Sequence, residues 1–190
     1  DRYLGQLDAA GAIVVLTADH GMKAKTLGDG SPDVVYLQDL LDRWLGTGSA
    51  KVILPITDPY VLHHGALGSF ATAYLPADSD VPGLIDRLAA LDGIHVVYDR
   101  AEGCKVFELP PDRMGDIIIV SRDSKVIGTR EVDHDLSALK EPLRSHGGIT
   151  EQEIPIIVNR KTSGLSDDLR NFDAFAIGLN HVPGGAEASS

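Results

Sequence analysis

A single cysteine in 190 residues has no partner for an internal disulfide, so a cytoplasmic setting is expected. Cys104 itself reads as a small, buried apolar side chain. No apolar run approaches the roughly 18 residues of a membrane span, and no signal-peptide pattern is visible, so no membrane partner is expected. Basic residues are scarce: 17 Lys and Arg against 28 Asp and Glu give a net charge of −11. That balance argues against a nucleic-acid groove, which needs clustered cations to neutralise phosphates. Also missing are a G-x-x-x-x-G-K-[ST] loop, a G-x-G-x-x-G turn after a strand and a G-x-S-x-G elbow.

What is present is an ordinary globular composition, 43% hydrophobic and 24% charged, long enough for one sizeable domain. The run Ile13 to Thr17 is β-branched and continuous, the pattern of a parallel-type strand buried on both faces. Ser31-Pro32-Asp33 predicts a helix start, with Val34, Leu37, Leu41 and Trp44 on one face and Gly46 at the end. Strands are predicted at Lys51–Ile56, Asp116–Val120 and Ile154–Val158. The stretches GSFATAYLP, VPGLIDRLAALDG, IHVVYD and KVFELP read as strand, helix, strand and strand. The division that follows is a core α/β segment at 1–60, an inserted α+β cap-like subdomain at 61–112 and a second core segment at 113–190.

The chemistry concentrates at two histidines. Asp19-His20-Gly21 closes the first strand, and in open α/β sheets ligand sites gather beyond strand carboxyl ends. A carboxylate and an imidazole together suit zinc, manganese or iron, with zinc favoured by its tolerance of mixed N/O sets. The bland reading keeps Asp19 as a loop cap and His20 as its hydrogen-bonded neighbour. His146, in Ser145-His146-Gly147-Gly148, borders another predicted strand, and it reads equally as a ligand or as a loop histidine. His63, His64, His95, His134 and His181 read mainly as surface or structural residues. Lys23 and Lys25 read as solvated loop lysines, with steering of an anionic substrate as the alternative.

The segments VVLTADHGM, GDIIIVS, LTADHGMKAK and HDLSALKEPLRSHGGITEQEIPIIV resemble the phosphonoacetate hydrolase family. That family lies in the phosphodiesterase/nucleotide-pyrophosphatase-like branch of the alkaline phosphatase superfamily. The resemblance implies an alkaline phosphatase-like three-layer α/β sandwich and two zinc ions per intact enzyme. It assigns Asp19 and His20 to one zinc and His146 to the other, with a small phosphonate as substrate. The activity implied is hydrolysis of the carbon–phosphorus bond of phosphonoacetate to acetate and phosphate.

The same resemblance places an attacking threonine, an Asp and an Asp-x-x-x-His pair ahead of the segment matching Ile13–His20. The twelve residues before Ile13 carry none of those motifs, and neither Thr17 nor Thr57 has the right context. The chain is therefore expected to be a C-terminal portion that is inactive alone and prone to dimerise or self-associate. Two alternatives stand beside this reading. One is a phosphodiesterase or nucleotide pyrophosphatase on the same scaffold, against which the 5% aromatic content counts mildly. The other is a non-catalytic metal-binding module.

Overall fold

The computed structural model of the chain describes residues 1–55, 67–137 and 139–183. Two compact units form, one from Asp1–Gly21 with Glu153–Ser190 and the other from Met22–Gln152. The helices are α1 (Arg2–Ala9), α2 (Leu37–Leu45), α3 (Val81–Ala89), α4 (Arg100–Phe107) and α5 (Asp173–Ala176). The strands are β1 (Val15–Leu16), β2 (Lys23–Ala24), β3 (Val34–Tyr36), β4 (Lys51–Ile53) and β5 (Phe70–Tyr74), followed by β6 (Ile94–Asp99), β7 (Ile117–Ser121), β8 (Val126–Gly128), β9 (Arg144–Ser145) and β10 (Ile157–Val158).

The Met22–Gln152 unit is built on a four-stranded sheet in the order β4-β5-β7-β6, antiparallel throughout. All five positions of β7 are buried, as its unbroken Ile-Ile-Ile-Val run demands. Alternation splits that run between two faces. Ile117 and Ile119 join Leu37, Leu41 and Leu88 in the main core, beneath α2 and α3. On the other face α4 approaches so closely that a Cβ on Gly103 would sit 2.8 Å from Ile118 Cδ1. Helix, sheet and helix thus make three layers, and each buried Ile or Leu contributes about 1.5–3 kcal/mol. Strands β5 and β6 lie within the predicted 61–112 subdomain, yet they share this sheet with β4 and β7.

Three local expectations need correction. Val34, Val35 and Tyr36 are not the first turn of a helix. They form β3, parallel to β8, and α2 begins at Leu37. Two adjacent valines and a tyrosine favour a strand when a partner is available, and Asp33 is held instead by Lys125 Nζ at 2.8 Å. KVFELP is not a strand. Its first residues complete α4, started by the Asp99 carboxylate accepting the Glu102 N–H at 2.8 Å. The run from Ile13 to Thr17 also departs from its expected form, with only Val15–Leu16 in a strand.

In the smaller unit β1 spans only Val15–Leu16 and pairs antiparallel with β10, Leu16 opposite Ile157. The predicted parallel strand buried on both faces is therefore absent. A two-stranded ladder covers neither face, and Ile13, Leu16 and Ile157 remain 46%, 43% and 55% exposed. Asn159 ties the ladder to its surroundings. Its Oδ1 accepts the Val14 N–H at 2.8 Å, while Nδ2 donates to Asp8 Oδ1 at 2.7 Å and to Ala12 O at 2.9 Å. Arg160 also pairs with Asp8, and these contacts hold the Asp8 carboxyl below its usual range. Among the described residues no helix is long and apolar enough to cross a membrane.

Candidate metal centre

Asp19 and His20 come three and four residues after the end of β1, and the chain bends there so that the two side chains approach each other. Asp19 Oδ1 accepts the His20 backbone N–H at 3.0 Å. His20 Nδ1 lies 2.8 Å from Gly21 O. A carbonyl only accepts, so Nδ1 carries the proton and, in the neutral ring, Nε2 carries the lone pair. Metal-binding histidines are commonly oriented in this way, by donating the second ring N–H to a backbone carbonyl. Nε2 stands 3.7 Å from Asp19 Oδ1. Two donors on one tetrahedral zinc, with bonds of about 2.0–2.2 Å, are about 3.3 Å apart, so the doublet is close to spanning one edge of such a site. Nearby in the chain, the Thr17 hydroxyl is buried and has no hydrogen-bond partner among the described residues. An orphaned buried hydroxyl costs about 1–3 kcal/mol, which fits a strand end built to meet a further polar group.

His146 belongs to the other unit and is held by backbone. Immediately before it β9 pairs with β2, Ser145 opposite Lys23. Ser145 Oγ donates to Leu67 O at 2.5 Å, and the His146 carbonyl accepts the Ser69 N–H at 2.8 Å. Gly147 follows in the left-handed region, φ +97°, where a side chain would be strained. Gly148 then donates its N–H to Glu151 Oε2 at 2.8 Å, and a Cβ on Gly148 would lie 2.6 Å from that oxygen. A cavity of about 280 Å³ borders this loop, lined by Pro55, Phe70, Phe107, Met114, Gly147 and Ile149 among others.

One partner in this region has no sequence signature. Lys25 is fully buried, so neither the solvated nor the substrate-steering reading holds for it. Its Nζ meets Glu151 Oε1 at 3.1 Å and Asp123 O at 2.6 Å. Burial pushes the Glu151 carboxyl up, but hydrogen bonds from Thr150, Lys25 and the Gly148 N–H outweigh it and leave the group below its ordinary value. A lysine in a polar loop and a glutamate near a Gly-Gly pair give no hint of each other across such a separation.

The remaining histidines fall into place individually. His134 is buried, its Nε2 2.9 Å from the Thr129 N–H, and it stacks on Tyr36. His95 is exposed on β6, and His181 Nδ1 lies 3.0 Å from Ser163 O. His63, His64 and Thr57 lie outside the described residues. Cys104 is buried in α4 as expected. Lys23 is half-exposed and sits 3.9 Å from Asp123. Among the described residues no group of three or more His, Cys, Asp and Glu side chains is gathered to hold a metal. The candidate donors among the described residues are thus the Asp19–His20 doublet, which fits a shared ion in part, and His146.

Comparison with known proteins bears directly on this geometry. The chain matches the crystal structure of phosphonoacetate hydrolase from Sinorhizobium meliloti 1021 in complex with phosphonoacetate. Identity is 62%, the TM-score is 0.87 and the match covers 93% of this chain. The complex of the same enzyme with phosphonoformate matches equally well.

The chain is a relative of phosphonoacetate hydrolase.

It spans 43% of each of those enzyme structures. A curated phosphonoacetate hydrolase from Penicillium oxalicum is 53% identical over 32 residues, 16% of this chain and 44% of that protein. Murine ectonucleotide pyrophosphatase / phosphodiesterase 5 shares 19% identity at a TM-score of 0.53, covering 85% of this chain and 38% of its own, and so shares the fold. The architecture is accordingly the mixed α/β, alkaline phosphatase-like one that the sequence motifs imply. No family model matches the chain.

Proposed function

We propose that this chain carries part of the zinc site of a phosphonoacetate hydrolase, with Asp19 and His20 serving one ion and His146 the other. The substrate is a small phosphonate. Water is added across the carbon–phosphorus bond: phosphorus gains an oxygen, carbon gains a proton, and acetate and phosphate leave. Charge that develops on the departing carbon delocalises into the adjacent carboxylate, which makes this leaving group tolerable. Zinc, when bound, supplies positive charge against the phosphonate oxygens.

The chain's own residues do the holding. Asp19 contributes a carboxylate oriented by the His20 N–H. The Gly21 carbonyl holds the His20 ring through Nδ1, with Nε2 on the side of Asp19 Oδ1. That ring orientation is the observation that carries the reading, and the resemblance to an enzyme solved with phosphonoacetate supports the substrate class. The single, buried Cys104 supports a reducing, cytoplasmic setting. Exposed Phe175 and Leu179, at 79% and 81%, support self-association of the chain.

The test is a zinc titration of the intact protein followed by phosphorus NMR with phosphonoacetate. Zinc-dependent release of inorganic phosphate is expected. Zinc binding with no turnover of the phosphonate would instead leave a metal-binding module.

A further inference from the structure

The loop that carries His146 is fastened at both ends, and its downstream fastening is the Lys25–Glu151 ion pair. Glu151 is 2% exposed and places its two oxygens on different tasks. Oε2 accepts the Gly148 N–H, two residues beyond His146, while Oε1 takes the Lys25 ammonium and the Thr150 hydroxyl, the latter at 2.7 Å. Lys25 in turn is anchored by Asp123 O. It directly follows β2, the strand that pairs with β9 just upstream of His146. Its backbone adds to that pairing, with the N–H donating to Leu143 O at 2.8 Å. One lysine thus grips both flanks of the histidine loop, by main chain before it and by side chain after it.

Lone charges are costly to bury, and a buried pair is weak evidence for stability as such. We infer that Glu151 is the positioning residue for His146: its Oε2, bonded to the Gly148 N–H, sets the path of the Gly147-Gly148 turn and thereby the aim of the imidazole, while Lys25 supplies the counter-charge that lets the carboxylate sit buried there. The inference rests on the reading of His146 as a zinc donor. It adds that this donor's orientation depends on one carboxylate oxygen that touches no metal.

Two charge-neutral double variants of the intact protein separate this role from simple stabilisation. K25M/E151Q removes both charges and keeps an amide oxygen for the Gly148 N–H. K25M/E151M removes the charges and the acceptor. Zinc affinity, read by competition with a chelator, is expected to stay close to the parent's in the first and to fall about 10–100-fold in the second, the range found when outer-shell partners of metal ligands are removed. The His146 ring resonances of the metal-free protein should shift in the second and not in the first.

Folding of each variant is checked by circular dichroism. Should K25M/E151M fail to fold, Gly148→Ala decides, because its Cβ drives Glu151 Oε2 off the Gly148 N–H while leaving the ion pair chemically intact. Parental zinc affinity in the folded acceptor-less protein, whether K25M/E151M or G148A, overturns the positioning role. His146→Ala is the control: unchanged zinc binding there contradicts the ligand reading itself. Loss in H146A with no loss in K25M/E151M contradicts only the role of the pair.

Discussion

At the residue scale the account turns on a few side chains whose protons are placed by their neighbours. His20 donates from Nδ1 to a carbonyl, and Asp19 lies against its other nitrogen. His20→Ala and Asp19→Asn should each lower zinc affinity by more than about tenfold, measured by calorimetric titration, because each removes one of a small donor set. Lys25→Met should behave differently. It leaves the buried Glu151 carboxylate without its counter-charge, at a cost of about 3–5 kcal/mol in urea unfolding. The parent's own pH response follows from the same carboxylate. Its folded pKa lies below the ordinary value, so it adds stability above about pH 4.3, and that contribution disappears as the pH falls through the folded pKa. Thermal unfolding from pH 7 to pH 3 should show the parent losing stability more steeply than K25M/E151Q.

At the scale of elements, packing and hydrogen bonding decide what the sequence pattern leaves open. Asp80 accepts the Gly83 N–H at 3.1 Å at the start of α3, and Asp80→Ala should cost about 1 kcal/mol in chemical denaturation. Gly115 presses on backbone: a Cβ there would lie 2.5 Å from Ala73 O. Gly115→Ala should cost about 1–3 kcal/mol in the same assay. The amphipathic α3 and the Ile-Ile-Ile-Val run of β7 are legible because their patterns report burial directly, Leu84 and Leu88 on one face of α3 and every position of β7 being buried. The strand β3 is open to a helical reading because Val34 lies at helical spacing from Leu37 and Leu41, and only the presence of β8 decides between the two patterns. The run at β1 was read as doubly buried because β-branched residues report strand propensity, whereas burial depends on neighbours the run does not encode. At the site, Asp19, His20 and His146 stood out through their flanking glycines. The link from Lys25 to Glu151 did not, because a tertiary ion pair leaves no local pattern.

At the scale of the whole molecule, the chain is a relative of phosphonoacetate hydrolase over most of its length while spanning under half of that enzyme's structure. With Phe172, Phe175 and Leu179 exposed, its light scattering should rise with concentration. The measurement that bears most directly on the central claim is anomalous diffraction at the zinc edge from crystals of the zinc-loaded intact protein. The account predicts one peak within about 2.2 Å of both an Asp19 carboxylate oxygen and His20 Nε2, and a second at a similar distance from the His146 ring. Zinc found on other side chains, with these three residues away from every peak, would contradict it.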